Sequence, residues 1–488
     1  MRRALTAPAL ESSRLTTVRL LLIALGGLLA WRMAALAVNA TDLFFDEAQY
    51  WSWALTPAFG YYSKPPLIAA LIGAAGAVCG DGTFCVRVAS PILHTVTAGL
   101  VFLIGRRLYD ERVGLWAALT FATLPGVSLS AGIISTDVPL LAAWALALLG
   151  IVGLVQEREG WAPALALGLG IGLGLNAKYA MVFFPVSLAV WLIATPSARP
   201  LLRDRRLWAG LAIGAALIAP NLAWNAANKF ATFAHTADNA KWGGSLLKPG
   251  KGLEFMAAQL AVFGPILLAG LVLTLHRGWR SGLSAADRML VCFTLPVIAV
   301  ITAQAFVSRA HANWAATAYV AASILVPAML LRLDLERWLK ASLGLHLVIM
   351  ALLTAGTSMA GRFILPLAGD PFQRTLGWSE IGTRTAALLA EARAKGQPYA
   401  AVIADERAVT AALIYYMRDE ATPVQAWLSG PRPLDHYEMT RPFQGAAKGP
   451  VLLVSVRQDA DRITEQVPAG LGQPCTVRFL TLEGYRGR

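Results

Sequence analysis

Residues 20–51 read LLLIALGGLLAWRMAALAVNATDLFFDEAQYW: a nearly continuous apolar run to residue 38, a short polar step, then the carboxylates Asp46 and Glu47 among aromatic rings. Crossing the hydrocarbon core of a bilayer takes about 20 mostly apolar residues, so the first part is read as a membrane span. It is too long and too Gly/Leu-continuous for an ordinary cleaved signal, and no small-residue cleavage pattern follows, so it is read as an anchor that stays. Outward from it the same kind of run recurs at 88–105, 113–132, 138–155, 161–175, 180–194, 207–223, 255–275, 289–306, 314–331 and 341–359, eleven in all, the fifth and sixth being short. Composition agrees: 488 residues with 56% hydrophobic and only 15% charged side chains exclude a string of soluble domains. The fold class expected is an all-α polytopic membrane protein of about eleven transmembrane helices.

The formal net charge is +13, but the cations sit in short clusters between apolar runs, which suits membrane orientation and excludes nucleic-acid binding. One set of loops collects Arg2, Arg3, Arg14 and Arg19, then Arg106, Arg107 and Arg112, Arg158, Arg199, Arg203, Arg205 and Arg206, Arg277, Arg280 and Arg288, and Arg332, Arg337 and Lys340. Lys and Arg resist translocation, so this side is the cytoplasm and the N-terminus lies there. The opposite loops hold most of the unusual polar residues, at 42–64, 135–137, 178, 224–251 and 308–313. An odd number of spans puts the tail outside. The chain therefore divides into a membrane domain, 1–359, and a small periplasmic α/β domain, 360–488, with strands at 400–404 and 451–456 and a helix at 407–417. Within the first outer loop, 47–54 and 65–76 are too short to span and read as interfacial helices, the first with Tyr50, Trp51 and Trp53 at headgroup depth. Four cysteines without metal-ligand spacing exclude a disulfide scaffold and a zinc site, although Cys79 and Cys85 are close enough in one outer loop to pair.

An ionisable side chain at membrane level is costly enough to be a functional hypothesis. Asp46 and Glu47 are candidate catalytic carboxylates; they also suit the start of a helix. A carboxylate in hydrogen-bond reach of an acceptor hydroxyl serves as a general base. Lys64, stiffened by Pro65 and Pro66, either snorkels or holds an anionic head group beside Tyr61 and Tyr62. Asp137, in STDVPL, is a third candidate, with helix capping by Thr136 or Asp137 as its structural alternative. Lys178 either marks a loop or reaches inward. Asn225, Trp224, His235 and Lys241 in the long outer loop, and His311 and Asn313 in SRAHANW, offer the mixture of rings and polar groups that sugars and head groups engage. Arg309 in that turn is one of few arginines outside, and its guanidinium suits phosphate oxygens.

FFDEAQYW, then GYYSKPPLIAALI, then ISTDVPLL, together with PNLAWN and NWAATAY, resemble the bacterial branch of the GT-C membrane glycosyltransferases. That group includes proteins similar to protein O-mannosyltransferases and to the lipid A aminoarabinose and galacturonic acid transferases. The resemblance covers about the first 330 residues in order. It implies a GT-C fold and inverting transfer of a sugar from a polyprenyl phosphate carrier to a periplasmic acceptor: lipid A, core lipopolysaccharide or another envelope glycan rather than protein. By that resemblance the acidic residue of the DE motif is Asp46, the donor-phosphate lysine is Lys64 and the acid of the TD motif is Asp137. Aminoarabinose-type members commonly carry glutamate before the lysine; Ser63 here argues against an aminated pentose. Relatives differ in metal dependence, and without a dense carboxylate cluster no metal or other cofactor is required in this reading. The expected partners are the lipid-linked sugar, the envelope acceptor and membrane lipid. The rival is a flippase for the same lipid-linked sugar, which would show paired repeats and charges near the bilayer midplane.

Overall fold

With no water in hydrocarbon to bond backbone N–H and C=O groups, each apolar run closes its hydrogen bonds internally as a helix. In the computed structural model, which describes residues 7–157, 159–240, 247–362, 370–428, 430–445 and 449–456, all eleven runs are helical. Six of these helices are long and apolar enough to cross a membrane: Leu15–Ala37, Thr83–Leu108, Asp137–Gln156, Arg205–Ala227, Ala285–Val307 and Glu336–Ser358. Ala162–Ala177, Tyr179–Ala194 and Ala318–Arg332 are apolar but shorter.

Two expected spans are corrected. The run 255–275 is not one rod but two helices, Pro249–Val262 and Pro265–Ser281, that meet at 108°. Gly264 stands between them at φ +93° and Pro265 brings no N–H, so the backbone ladder stops there. Counting this pair as one broken span gives seven. Likewise 113–132 splits into Glu111–Thr123 and Pro125–Ser130, because Leu124, ahead of proline, is forced to an extended ψ of 136°.

The chain forms two compact units that interleave along the sequence. One comprises Met1–Ala37, Lys64–Ile68 and Arg87–Thr354; the other comprises Val38–Ser63, Ala69–Val86 and Ala355–Arg488. The tail thus shares its unit with most of the first outer loop, which the linear division at residue 359 assigns to the membrane domain.

In the membrane unit, small residues let helices approach closely. A Cβ at Gly170 would stand 2.5 Å from the Ala147 backbone nitrogen, and one at Gly150 2.5 Å from that of Leu167, so helices Asp137–Gln156 and Ala162–Ala177 touch backbone to backbone. Three helix ends from the loops rich in cations meet at buried Asp287, which accepts from Arg332 Nη1 and Nη2 at 2.8 and 2.9 Å and from the Tyr109 hydroxyl at 2.7 Å.

In the second unit, β1 (Ala401–Ala404), β2 (Val424–Ala426) and β3 (Val451–Val454) form a parallel sheet in the order β2-β1-β3. β1 is buried at every position, hence its uninterrupted apolar sequence. Helices Trp378–Ala394 and Arg407–Tyr416 belong to the same unit, as do the acidic helix Phe45–Ala54 and a Cys79–Cys85 disulfide. β2 escapes sequence reading because three residues carry no period.

Gly170→Leu should force the two contacting helices apart and cost about 1–3 kcal/mol, read as a lowered thermal midpoint of the purified chain in detergent. An unchanged midpoint would show that the backbones do not approach as described.

Candidate functional site

The residues singled out from sequence divide between the two units. In the membrane unit Asp137 opens a helix, and the proposed capping by Thr136 is not made: its side chain bonds no helix N–H. Asp137 is 8% exposed and both carboxylate oxygens are engaged, Oδ1 by Lys178 Nζ at 2.7 Å and Oδ2 by Asn313 Nδ2 at 2.6 Å. Three turns far apart in sequence therefore meet at one carboxylate. Lys178, open to two readings from sequence, reaches inward. A cation and an amide against a carboxylate in a partly dry setting are worth more than on a surface, and removing either partner leaves a costly orphan.

Next to Lys178 a second polar group forms. The Tyr179 hydroxyl donates to Asn221 Oδ1 at 2.7 Å and accepts from Asn225 Nδ2 at 3.1 Å, while Asn225 Oδ1 accepts the Thr232 N–H at 3.3 Å. Asn225 is wholly buried, so it ties helix Arg205–Ala227 to the start of helix Ala231–Ala240 rather than lining a surface. Trp224 and His235 nearby are half-buried; Lys241 lies outside the described residues. Arg309 and His311 are exposed, the His311 ring edge-on to Trp314 at 5.4 Å, and Lys64 is half-buried beside buried Pro65.

In the second unit the acidic pair separates into two roles. Glu47 is 1% exposed, and its carboxylate accepts the Phe44 N–H at 2.9 Å, fixing the helix start. Asp46 points elsewhere: Oδ1 accepts from Arg407 Nη1 at 2.7 Å, and Oδ2 accepts from no described residue. The guanidinium also bonds Gln49 Oε1 and lies 4.9 Å over the Phe45 ring. Burial disfavours the charge on Arg407, yet Asp46 outweighs it and raises the Arg407 pKa. Neither Arg407 nor Gln49 is marked by sequence; a lone arginine 361 positions from its partner carries no local signal.

Tyr61 and Tyr62, expected at a carrier phosphate, bond backbone carbonyls in this structure. Tyr61 is 2% exposed, stacks on Trp53 at 4.6 Å and donates its hydroxyl to the Trp53 carbonyl at 3.0 Å; burial pushes its phenol pKa up. Tyr62 donates to the Pro433 carbonyl at 3.1 Å. Among the described residues no three His, Cys, Asp or Glu side chains gather as a metal would need.

Two outcomes follow from these geometries. Lys178→Met should cost about 3 kcal/mol by orphaning Asp137, and adding Asp137→Asn should recover most of it; thermal unfolding that shows two additive losses would deny the pairing. His436, buried between Trp53, Tyr61 and Tyr437, has its pKa lowered to about 4 by burial and then by Arg441, against an ordinary 6.5. The unfolded chain binds the proton first, so this stability is complete above about pH 6.5 and about 3 kcal/mol of it is lost as pH falls through the folded value. His436→Phe should blunt that acid loss in melts at pH 7.5 and 4.5; equal losses in both proteins would refute the assignment.

Residues 63–224 match the family model described as dolichyl-phosphate-mannose-protein mannosyltransferase. The chain is 36% identical over 436 residues to the lipid A galacturonosyltransferase RgtD of Rhizobium johnstonii, covering 89% of this chain and 90% of the relative. Its fold is like that of ArnT from Cupriavidus metallidurans in the apo state, at 15% identity and a TM-score of 0.63, covering 94% of this chain and 92% of the other. The same ArnT bound to undecaprenyl phosphate matches at 14% identity and a TM-score of 0.59, over 84% and 85% of the two chains. Shared helices could come from fold alone, but more than a third of residues identical over nine-tenths of both chains could not. The chain is a GT-C membrane glycosyltransferase of the family that includes the lipid A galacturonosyltransferase RgtD.

Proposed function

We propose that the chain moves a uronic acid from a polyprenyl phosphate carrier to a hydroxyl of lipid A at the periplasmic face of the inner membrane, with inversion at the sugar. The observation that carries this reading is 36% identity, over about nine-tenths of both chains, with a lipid A galacturonosyltransferase. A carrier of this chemistry is supported by the ArnT complex with undecaprenyl phosphate. Ser63 in place of glutamate accords with a sugar other than an aminated pentose. A flippase has no counterpart among these likenesses. Eleven crossings, with the three shorter apolar helices and the split pair Glu111–Thr123 and Pro125–Ser130 counted as spans beside the seven, would place the N-terminus in the cytoplasm and the tail in the periplasm.

In the proposed chemistry the acceptor oxygen attacks the anomeric carbon while Asp46 takes the hydroxyl proton. The bond from that carbon to the carrier phosphate oxygen breaks, and its electron pair leaves with the phosphate. Lys64 and Arg309 would neutralise the charge that develops on the leaving group, the kind of stabilisation that lowers such barriers most. Asp137, already tied to Lys178 and Asn313, would keep the Asn313 turn and its neighbours Arg309 and His311 in place. Trp224 and His235, half-buried beside the Asn225 network, and Lys241 would contact the sugar or acceptor. Glu47 would shape the helix that carries Asp46.

Removing a positioned base costs about 10²- to 10⁴-fold. Asp46→Asn should lose turnover by that factor in a reconstituted assay with polyprenyl-phosphate-linked galacturonic acid and lipid A, followed by mass spectrometry, while still binding the lipid donor. Wild-type turnover by the variant would reject Asp46 as base.

A further inference from the structure

The acidic helix is gripped by the tail. Besides Arg407 on Asp46 and Gln49, the Tyr416 hydroxyl accepts the Leu43 N–H at 2.8 Å. Trp51 Nε1 donates to Asp81 Oδ1 at 2.8 Å while Tyr415 donates to the Asp81 carbonyl at 2.7 Å. Ser52 Oγ and the Tyr437 hydroxyl lie 2.9 Å apart, and the Ser379 N–H donates to Asp42 at 3.2 Å. Every one of these partners comes from the tail or the first outer loop. Most of them fasten backbone or ring; only Arg407 reaches the carboxylate assigned to chemistry.

We propose that Arg407 is a positioning residue for the transfer reaction, and that holding Asp46 in register is a function of the C-terminal unit. This rests on the reading of Asp46 as the base. Phe45, Asp46 and Gln49 fall within one helical turn, so a single planar guanidinium touches all three: the ring beneath it, the amide oxygen and Oδ1 of the carboxylate. With Oδ1 held, rotation of the carboxylate is restricted and Oδ2 is left as the oxygen that meets the acceptor proton. A misplacement of about 1 Å at a reacting group can cost about 10²-fold, so a fastening of this kind acts on rate rather than on donor affinity. Lysine would restore the charge but not the fork or the stacking on Phe45.

The test uses the full chain in detergent with polyprenyl-phosphate-linked galacturonic acid as donor and lipid A as acceptor. Arg407→Gln should lower kcat by about 10- to 100-fold with KM for the donor unchanged, and Arg407→Lys should recover part of the loss. Added to Asp46→Asn, Arg407→Gln should slow the enzyme no further, because the residue acts through a carboxylate that is gone. Full kcat in Arg407→Gln, or the same fold loss with and without Asp46, would overturn the assignment and leave Asp46 as base untouched. Wild-type turnover by Asp46→Asn would instead remove the base reading itself. If Arg407→Gln fails to fold, Arg407→Lys carries the same comparison, and full kcat with unaltered donor KM in that variant would overturn the proposal.

Discussion

A carboxylate taken from water into a membrane protein is unfavourable by several kcal/mol unless cations and amides stand against it, and this constraint sets where the polar residues of the chain can lie. Asp137 meets it with Lys178 and Asn313, Asp287 with Arg332 and Tyr109. Each group joins turns distant in sequence, so each fixes which helix ends share a level. The helices between are then free to be almost wholly apolar, packed through glycines where backbones touch.

The second unit solves a different problem. The acidic helix Phe45–Ala54 is ten residues long, too short to be stable alone in water. Its stability comes from packing, and a main partner is helix Arg407–Tyr416, supplied more than 300 positions later. Glu47 serves the helix start and Asp46 faces Arg407. Two adjacent carboxylates thus have different tasks because the helix turns them about 100° apart. The tail, outside the stretch that carries the resemblance, supplies contacts of the DE motif.

What sequence made legible followed from long-range regularity. Apolar length located eleven runs that are helical, and the apolar stretches 400–404 and 451–456 of the tail contain the strands Ala401–Ala404 and Val451–Val454. Boundaries that failed did so at proline: Pro125 and Pro265 break helices that hydropathy alone joins. The candidate carboxylates Asp46 and Asp137 and the candidate phosphate-binding Lys64 came from motif order, whereas the partners of the carboxylates did not. Arg407 is an ordinary arginine until the fold places it, and Lys178 had two readings until Asp137 was found within 2.7 Å. Tyr61 likewise shows partners that its motif does not announce: it stacks on Trp53 and donates its hydroxyl to the Trp53 carbonyl. Pairing over hundreds of residues leaves no mark in a single sequence.

The central claim is that a sugar leaves a lipid phosphate and joins lipid A. It is tested most directly by mass spectrometry of lipid A from cells with and without the gene. The account predicts that lipid A from cells lacking it is lighter by one uronic acid residue, restored by the wild-type chain. Lipid A of identical mass in both, with the sugar-loaded carrier building up on the cytoplasmic side, would contradict it and return the chain to the flippase reading.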